Sequence, residues 1–243
     1  MATLIHRHHH LFYARRWHVL FAFSLIILPI GFFLVFSKIA HIATADLFAD
    51  ITISLFRVFV AYIIAAGLAW LCSILFYRGR ASTIALPIFD VMQSIPTFAA
   101  LPLAVLFWGK TNFTVIFFLV LTIIWPILFS ITSSLKLIKS DYHEAVEVYG
   151  LRGWKRVRIF LWPASIPGLI TGSIVGLGEA WEALVATEII VGMGTGLGSF
   201  FQHFSSNPKI TAFGILGVLL LVFSINKLIW LPLLEKSHSL ADD

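Results

Sequence analysis

The chain has 243 residues, of which 59% are apolar and only 12% charged, with a formal net charge of +5 and a mean hydropathy of +0.95. That balance excludes an ordinary soluble domain and indicates an all-α integral membrane protein, because a run of about 20 apolar residues is what crosses the hydrocarbon core. The single cysteine, Cys72, sits in an apolar run as a small core residue, so neither an intrachain disulfide nor a multi-cysteine metal site is available.

Residues 1–18 form a basic tail containing His6, His8, His9 and His10, better explained by contact with anionic lipid than by a metal. No A-x-A-like cleavage site follows the first apolar run, 19–36, which reads as a retained first helix. The second run, 51–77, carries Arg57. The third, 84–108, contains Asp90, Gln93 and Ser94 and is interrupted by Pro96 and Pro102. Freed carbonyls and polar side chains at that depth suit the wall of a cavity, the alternative being plain proline kinks. Residues 104–111, ending in Gly109-Lys110-Thr111, fit a relaxed phosphate-loop pattern. A phosphate cradle needs bare amides between a strand and a helix, whereas Val105, Leu106, Phe107 and Trp108 are bulky, so nucleotide binding there is rejected. The fourth run spans 113–135.

Residues 144–167 are the only polar, charge-rich helical stretch. Arg152, Lys155, Arg156 and Arg158 alternate there with Val146, Val148, Leu151, Trp154, Val157 and Phe160 at spacings that share helix faces. Such a segment lies on a membrane surface or docks into a partner's groove. The fifth run, 164–190, has Ala164, Gly168, Gly172, Gly176 and Ala180 at every fourth position, a small-residue stripe for close helix packing, within the chain or against a second copy. Past its midpoint stand Glu179 and Glu182, three apart on one face and candidates for a solute pathway, and Glu188, near enough to the outer interface to be solvated. Arg57 lies on the same outer side as a candidate partner. Gly192, Gly194, Gly196 and Gly198 read as an extracytoplasmic turn, the sixth run covers 210–232, and 233–243 form a C-terminal tail.

Six runs divide the Lys and Arg residues unequally. Twelve, from Arg7 through Lys236, fall on one side, against Lys38, Lys110 and Lys209 on the other. The retention of Lys and Arg in the cytoplasm puts both termini and the 140–163 segment inside the cell, and makes the positive charge a topology signal rather than evidence for nucleic-acid binding.

Glu144-Ala145-Val146, Gly150 and Phe160-Leu161-Trp162-Pro163 resemble the E-A-A, three residues, G, nine residues, I-x-L-P signature of ABC-importer permeases. Val146, Phe160 and Trp162 depart from it but stay apolar. Ser54 to Val58, Gln93-Ser94-Ile95-Pro96, Trp108-Gly109, Gly178-Glu179-Ala180-Trp181, Ala186-Thr187-Glu188 and Gly196-Leu197-Gly198 are similar to the nitrate/sulfonate/taurine-type branch, over about residues 50–235. The resemblance implies a six-span permease (19–232) in a bacterial inner membrane, with a coupling helix in segment 140–163 between spans 4 and 5. It also implies a second permease copy forming a homodimer, cytoplasmic ATP-binding subunits that hydrolyse the ATP, and an extracytoplasmic solute-binding protein. Under it, Glu144, Ala145 and Arg152 fix the segment at its partner's surface, Trp154 and Val148 fill the partner's groove, Gly150 makes the turn and Pro163 closes the signature.

Anion-carrying members often have a basic residue at the position of Glu179. With Glu182 beside it, the implied solute is neutral or cationic. The pathway expectation comprises Asp90, Gln93, Pro96, Glu179 and Glu182. An ATP-independent channel or ion-coupled carrier using Asp90, Glu179 and Glu182 as a relay is the alternative, and no metal or cofactor site is read from the sequence. Cysteines placed at Ser205 and Ser237 should differ in intact cells, only the first reacting with an impermeant thiol reagent; equal labelling would overturn the orientation.

Overall fold

The computed structural model describes residues 23–230, 232 and 233. The tails, the N-terminal histidines, and the expected first-span residues before Phe23 lie outside the described residues. The elements are α1 (Phe23–Ile39), α2 (Thr44–Phe76), α3 (Gly79–Gln93), α4 (Thr97–Trp108), α5 (Asn112–Lys136), α6 (Ser140–Val148), α7 (Gly153–Arg156), α8 (Trp162–Val191), α9 (Leu197–His203) and α10 (Pro208–Ile225). π-helical turns follow α7 (Val157–Leu161) and α10 (Asn226–Trp230). No strand occurs among the described residues.

Four helical stretches are long and apolar enough to cross a bilayer: Thr44–Phe76, Asn112–Lys136, Gly153–Val191 and Pro208–Trp230. The pair α3 and α4, bent by 81°, would make a fifth. The third run, 84–108, is thus interrupted as its prolines suggested, giving two helices, but at Pro96 alone. Pro96 causes the break: it has no N–H to donate, and its ring pushes Ile95 out of the helical region. Helix α4 restarts with the Pro96 carbonyl accepting from the amides of Ala99 and Ala100 at 3.0 and 3.2 Å. Pro102, by contrast, stays within α4.

The fifth run also begins earlier than its apolar composition indicates. Gly153–Val191 is one 39-residue helical stretch, so the second half of the charged segment is the first turns of the span and not a separate short helix. Pro163 lies at its start and is accommodated by the π-helical turn before it, where the Trp162 amide reaches back to the Val157 carbonyl. The wider turn relieves the clash that a proline ring makes with the carbonyl four residues before it.

Helices α5 and α8 form the centre. A Cβ on Gly168 would lie 2.7 Å from the Ile131 Cα, one on Gly172 2.6 Å from the Ile127 Cα, and one on Gly176 3.1 Å from the Ile123 carbonyl oxygen. The small-residue stripe therefore faces α5 of the same chain at backbone contact. Dispersion and weak Cα–H contacts hold such a pair where apolar burial offers little, because lipid is as apolar as the interface. Helix α2 lies across both, pinned by hydrogen bonds from Ser73 Oγ to the Leu128 carbonyl, from Trp70 Nε1 to Ser165 Oγ, and between Tyr62 and Ser173, each 3.0 Å.

Gly172→Leu should destabilise the chain by about 1–3 kcal/mol or more, as overpacking against backbone does, whereas Gly178→Ala should be tolerated, since nothing lies within 4 Å of its added Cβ. Melting of the detergent-solubilised protein, followed by circular dichroism, measures both.

Candidate functional site

At the Lys/Arg-rich end, α6 turns through Gly150, whose φ of +66° favours glycine, into the start of the long helix at Gly153. Val146 and His143 are buried beneath α6, while Glu144 and Ala145 face outward. The outer rim is apolar: Val148, Tyr149 and Trp154 are 85%, 82% and 70% exposed. Arg152 and Pro163 are exposed as well. Large apolar side chains uncovered beside charges are the mark of an interaction surface.

His143, which sequence reasoning passed over, holds α6 in place. Its ring stacks on Tyr77 at 6.4 Å and meets Phe160 edge-on at 5.4 Å. Arg156 reaches both the Tyr77 hydroxyl and His143 Nδ1 at 3.5 Å. Desolvation first, then the positive charges of Arg78 and Arg156, hold its pKa below the usual 6.5. The unfolded chain therefore takes up this proton more readily, and the stability gained by burying a neutral imidazole is lost as pH falls below that usual value toward the lowered one.

At the opposite end, a buried polar network joins four elements. Arg57 of α2 pairs with Glu188 of α8, their side chains 2% and 0% exposed. Ser54 Oγ lies 2.9 and 3.1 Å from the two Glu188 oxygens, and the Gly198 amide donates to Oε2 at 2.8 Å. The remaining Arg57 donors go to Asn112 Oδ1 at 2.9 Å, the Thr195 carbonyl at 3.0 Å and Thr195 Oγ1 at 3.1 Å. Asp50 accepts from the Gly196 amide at 2.7 Å and Ser54 from the Leu197 amide at 2.8 Å. Glu188 is thus not a solvated interfacial carboxylate, as its position in the sequence allowed, but a buried one held by Arg57. The glycine-rich turn exists for this packing: a Cβ on Gly196, where φ is +100°, would stand 2.6 Å from both Glu188 oxygens. Asp50, Ser54 and Arg57 recur at i, i+4 and i+7, a polar helix face that the sequence displays and that reading each residue separately missed.

The expected pathway residues do not converge. Gln93 Nε2 donates to Asp90 Oδ1 at 2.7 Å and Ser94 Oγ to the Asp90 carbonyl at 3.0 Å, so the polar group before Pro96 bonds within itself. Glu179 and Glu182 are exposed on α8, Glu182 on an apolar groove between α8 and α10 that includes Trp181, Phe201 and Leu219. No hydrogen bond or ion pair connects these carboxylates to Asp90 or Gln93 among the described residues. Residues 104–108 are helical, and the Gly109 amide is bonded to the Val105 carbonyl. That backbone cannot cradle a phosphate. Lys110 points instead toward the end of α8, its Nζ 3.2 Å from where a Cβ on Gly192 would stand. Among the described residues no cluster of His, Cys, Asp or Glu could hold a metal ion.

The family described as binding-protein-dependent transport system inner membrane component matches residues 58–237. A nitrate import permease protein of Synechocystis is 33% identical over 175 residues, 69% of this chain and 63% of that protein. A bicarbonate transport system permease protein of the same organism is 31% identical over 141 residues, 55% of this chain and 50% of that one. A putative aliphatic sulfonates transport permease protein of Bacillus subtilis is 24% identical over 188 residues, 76% of this chain and 67% of that one. The chain spans less than two thirds of the nitrate permease relatives it matches, from 54% to 65% of their length.

Removing one member of the buried pair leaves the other charge stranded, at a cost of about 3–5 kcal/mol. Arg57→Met and Glu188→Gln should each lower the melting temperature sharply, and the double variant should lose less than the sum of the two, as a double-mutant cycle in detergent would measure.

Proposed function

The chain belongs to the family of binding-protein-dependent transport system inner membrane components, and from that membership we propose that it is the permease subunit of an ATP-driven importer of a small solute. The observation that carries this reading is the uncovered rim of Val148, Tyr149 and Trp154 beside Glu144 and Arg152. It is built as a helix-in-groove surface for a partner. In this proposal the partners there are cytoplasmic ATP-binding subunits, and an extracytoplasmic solute-binding protein delivers solute at the end holding the Arg57 network. The termini are cytoplasmic, 19–36 provides the first of six spans and the α3–α4 pair the third. Two copies of the chain form the complete path, which opens alternately to each side.

The relatives' names point to nitrate, bicarbonate and sulfonates. Here Glu179 and Glu182, exposed on α8 within the span, would repel an anion in a low-dielectric surround. We therefore assign this chain a neutral or cationic solute.

Glu144→Lys and Gly150→Asp should release or uncouple the ATPase while the permease still inserts, since a reversed charge in a docked interface costs several kcal/mol. Co-purification of the ATPase and ATP-dependent uptake in vesicles are the measurements. Uptake that persists without any ATPase would instead favour a channel or ion-coupled carrier.

A further inference from the structure

A groove of about 370 Å³ runs between α5 and α8 toward the Lys/Arg-rich end, lined by Ser130, Ser133, Ser134 and Thr171 beside Gly168. Most hydroxyls elsewhere on these helices bond back to backbone, as expected of Ser and Thr at membrane depth, the buried Thr132 Oγ1 of α5 being an exception. Thr122 donates to the Phe118 carbonyl at 3.1 Å, Ser165 to Trp162 at 2.7 Å and Ser173 to Leu169 at 2.6 Å. None of the four groove hydroxyls has a hydrogen-bond partner among the described residues. Ser133 and Thr171 are exposed and the other two half-buried. Four unused hydroxyls on one concave face are unfavourable toward hydrocarbon, which offers nothing to bond them. They are favourable toward water or a polar solute.

Resting on the permease reading above, we propose that this groove is the solute lane through the Lys/Arg-rich half of the span. The solute is a small polar molecule held by hydrogen bonds rather than ion pairs, because no charged side chain lines the groove. Each hydroxyl both donates and accepts, so the lane can exchange partners with a moving solute without trapping it. Further along α8 the face bearing Thr171 and Val175 carries Gly178 and Glu182 at spacings of three or four residues, so the uncharged lane ends before the carboxylate, which lines the separate groove against α10. The close approach at Gly168 and Gly172 brings the serine-bearing turns of α5 beside this face.

The test uses the full chain in membrane vesicles of its native host, which hold its partners. With Cys72→Ala as background, Ser133→Cys, Ser134→Cys and Thr171→Cys are each reacted with a cationic and an anionic methanethiosulfonate, with and without ATP. Ile63→Cys, at an exposed apolar position on α2, serves as the lipid-facing control. Thiolates form in water and not in hydrocarbon, so the groove cysteines should react roughly tenfold or more faster than the control. Their cation-to-anion rate ratio should stay within about threefold of that of a free thiol if the lining is uncharged. Rates no faster than the control, with and without ATP, would overturn the lane, meaning that lipid or a second copy covers the groove. A strong preference for one reagent charge would overturn the uncharged lining. Fast labelling that does not change with ATP would keep the lane and overturn the ATP-driven reading.

Discussion

The Arg57–Glu188 pair is the constraint on which one end of the molecule depends. Two charges this deeply buried persist only when every remaining donor and acceptor is met, and meeting them recruits Ser54, Asn112, Thr195 and the amide of Gly198. Helix α2, the start of α5, the end of α8 and the start of α9 are therefore fixed relative to one another by electrostatics, and the glycines at 196 and 198 follow from the lack of room beside the carboxylate. Lipid supplies no comparable force for organising that end.

The other end is built differently. Around α6, aromatic packing of His143 between Tyr77 and Phe160 replaces charge pairing, and the apolar side chains that could complete the packing point outward. One end is internally complete. The other leaves large apolar side chains uncovered. That asymmetry is what the proposed docking of a partner at one end calls for.

Much of this was legible in the sequence, for physical reasons that separate residue by residue. The α5–α8 contact could be anticipated because Gly168, Gly172 and Gly176 fall at helical spacing, and only the identity of the neighbour needed the structure. The exposed rim proposed for docking could be picked out because Trp154 and Val148 are apolar among charges. What could not be read was direction. Glu188 and Glu182 are six residues apart and chemically identical, yet one is sealed against Arg57 and the other faces outward. Likewise, Pro96 breaks a helix while Pro102 stays within α4, a difference that the chemistry common to both prolines does not announce. The four unbonded hydroxyls were invisible for the same reason: a serine's partner is a matter of rotamer and neighbour.

The π-helical turn at Val157–Leu161 sets a phase. The 39 residues of Gly153–Val191 run without interruption, about 58 Å at 1.5 Å per residue, with Trp154 near one end and Glu188 near the other. A rod of that length carries rotation as well as translation. Each residue inserted or removed turns everything beyond it by about 100°, so the widened turn fixes the angle between the face bearing Trp154 and the faces bearing the glycine stripe and Thr171. Were that turn to tighten into regular α-helix, Trp154 would stand at a different compass bearing while the remainder of the span stayed where it is.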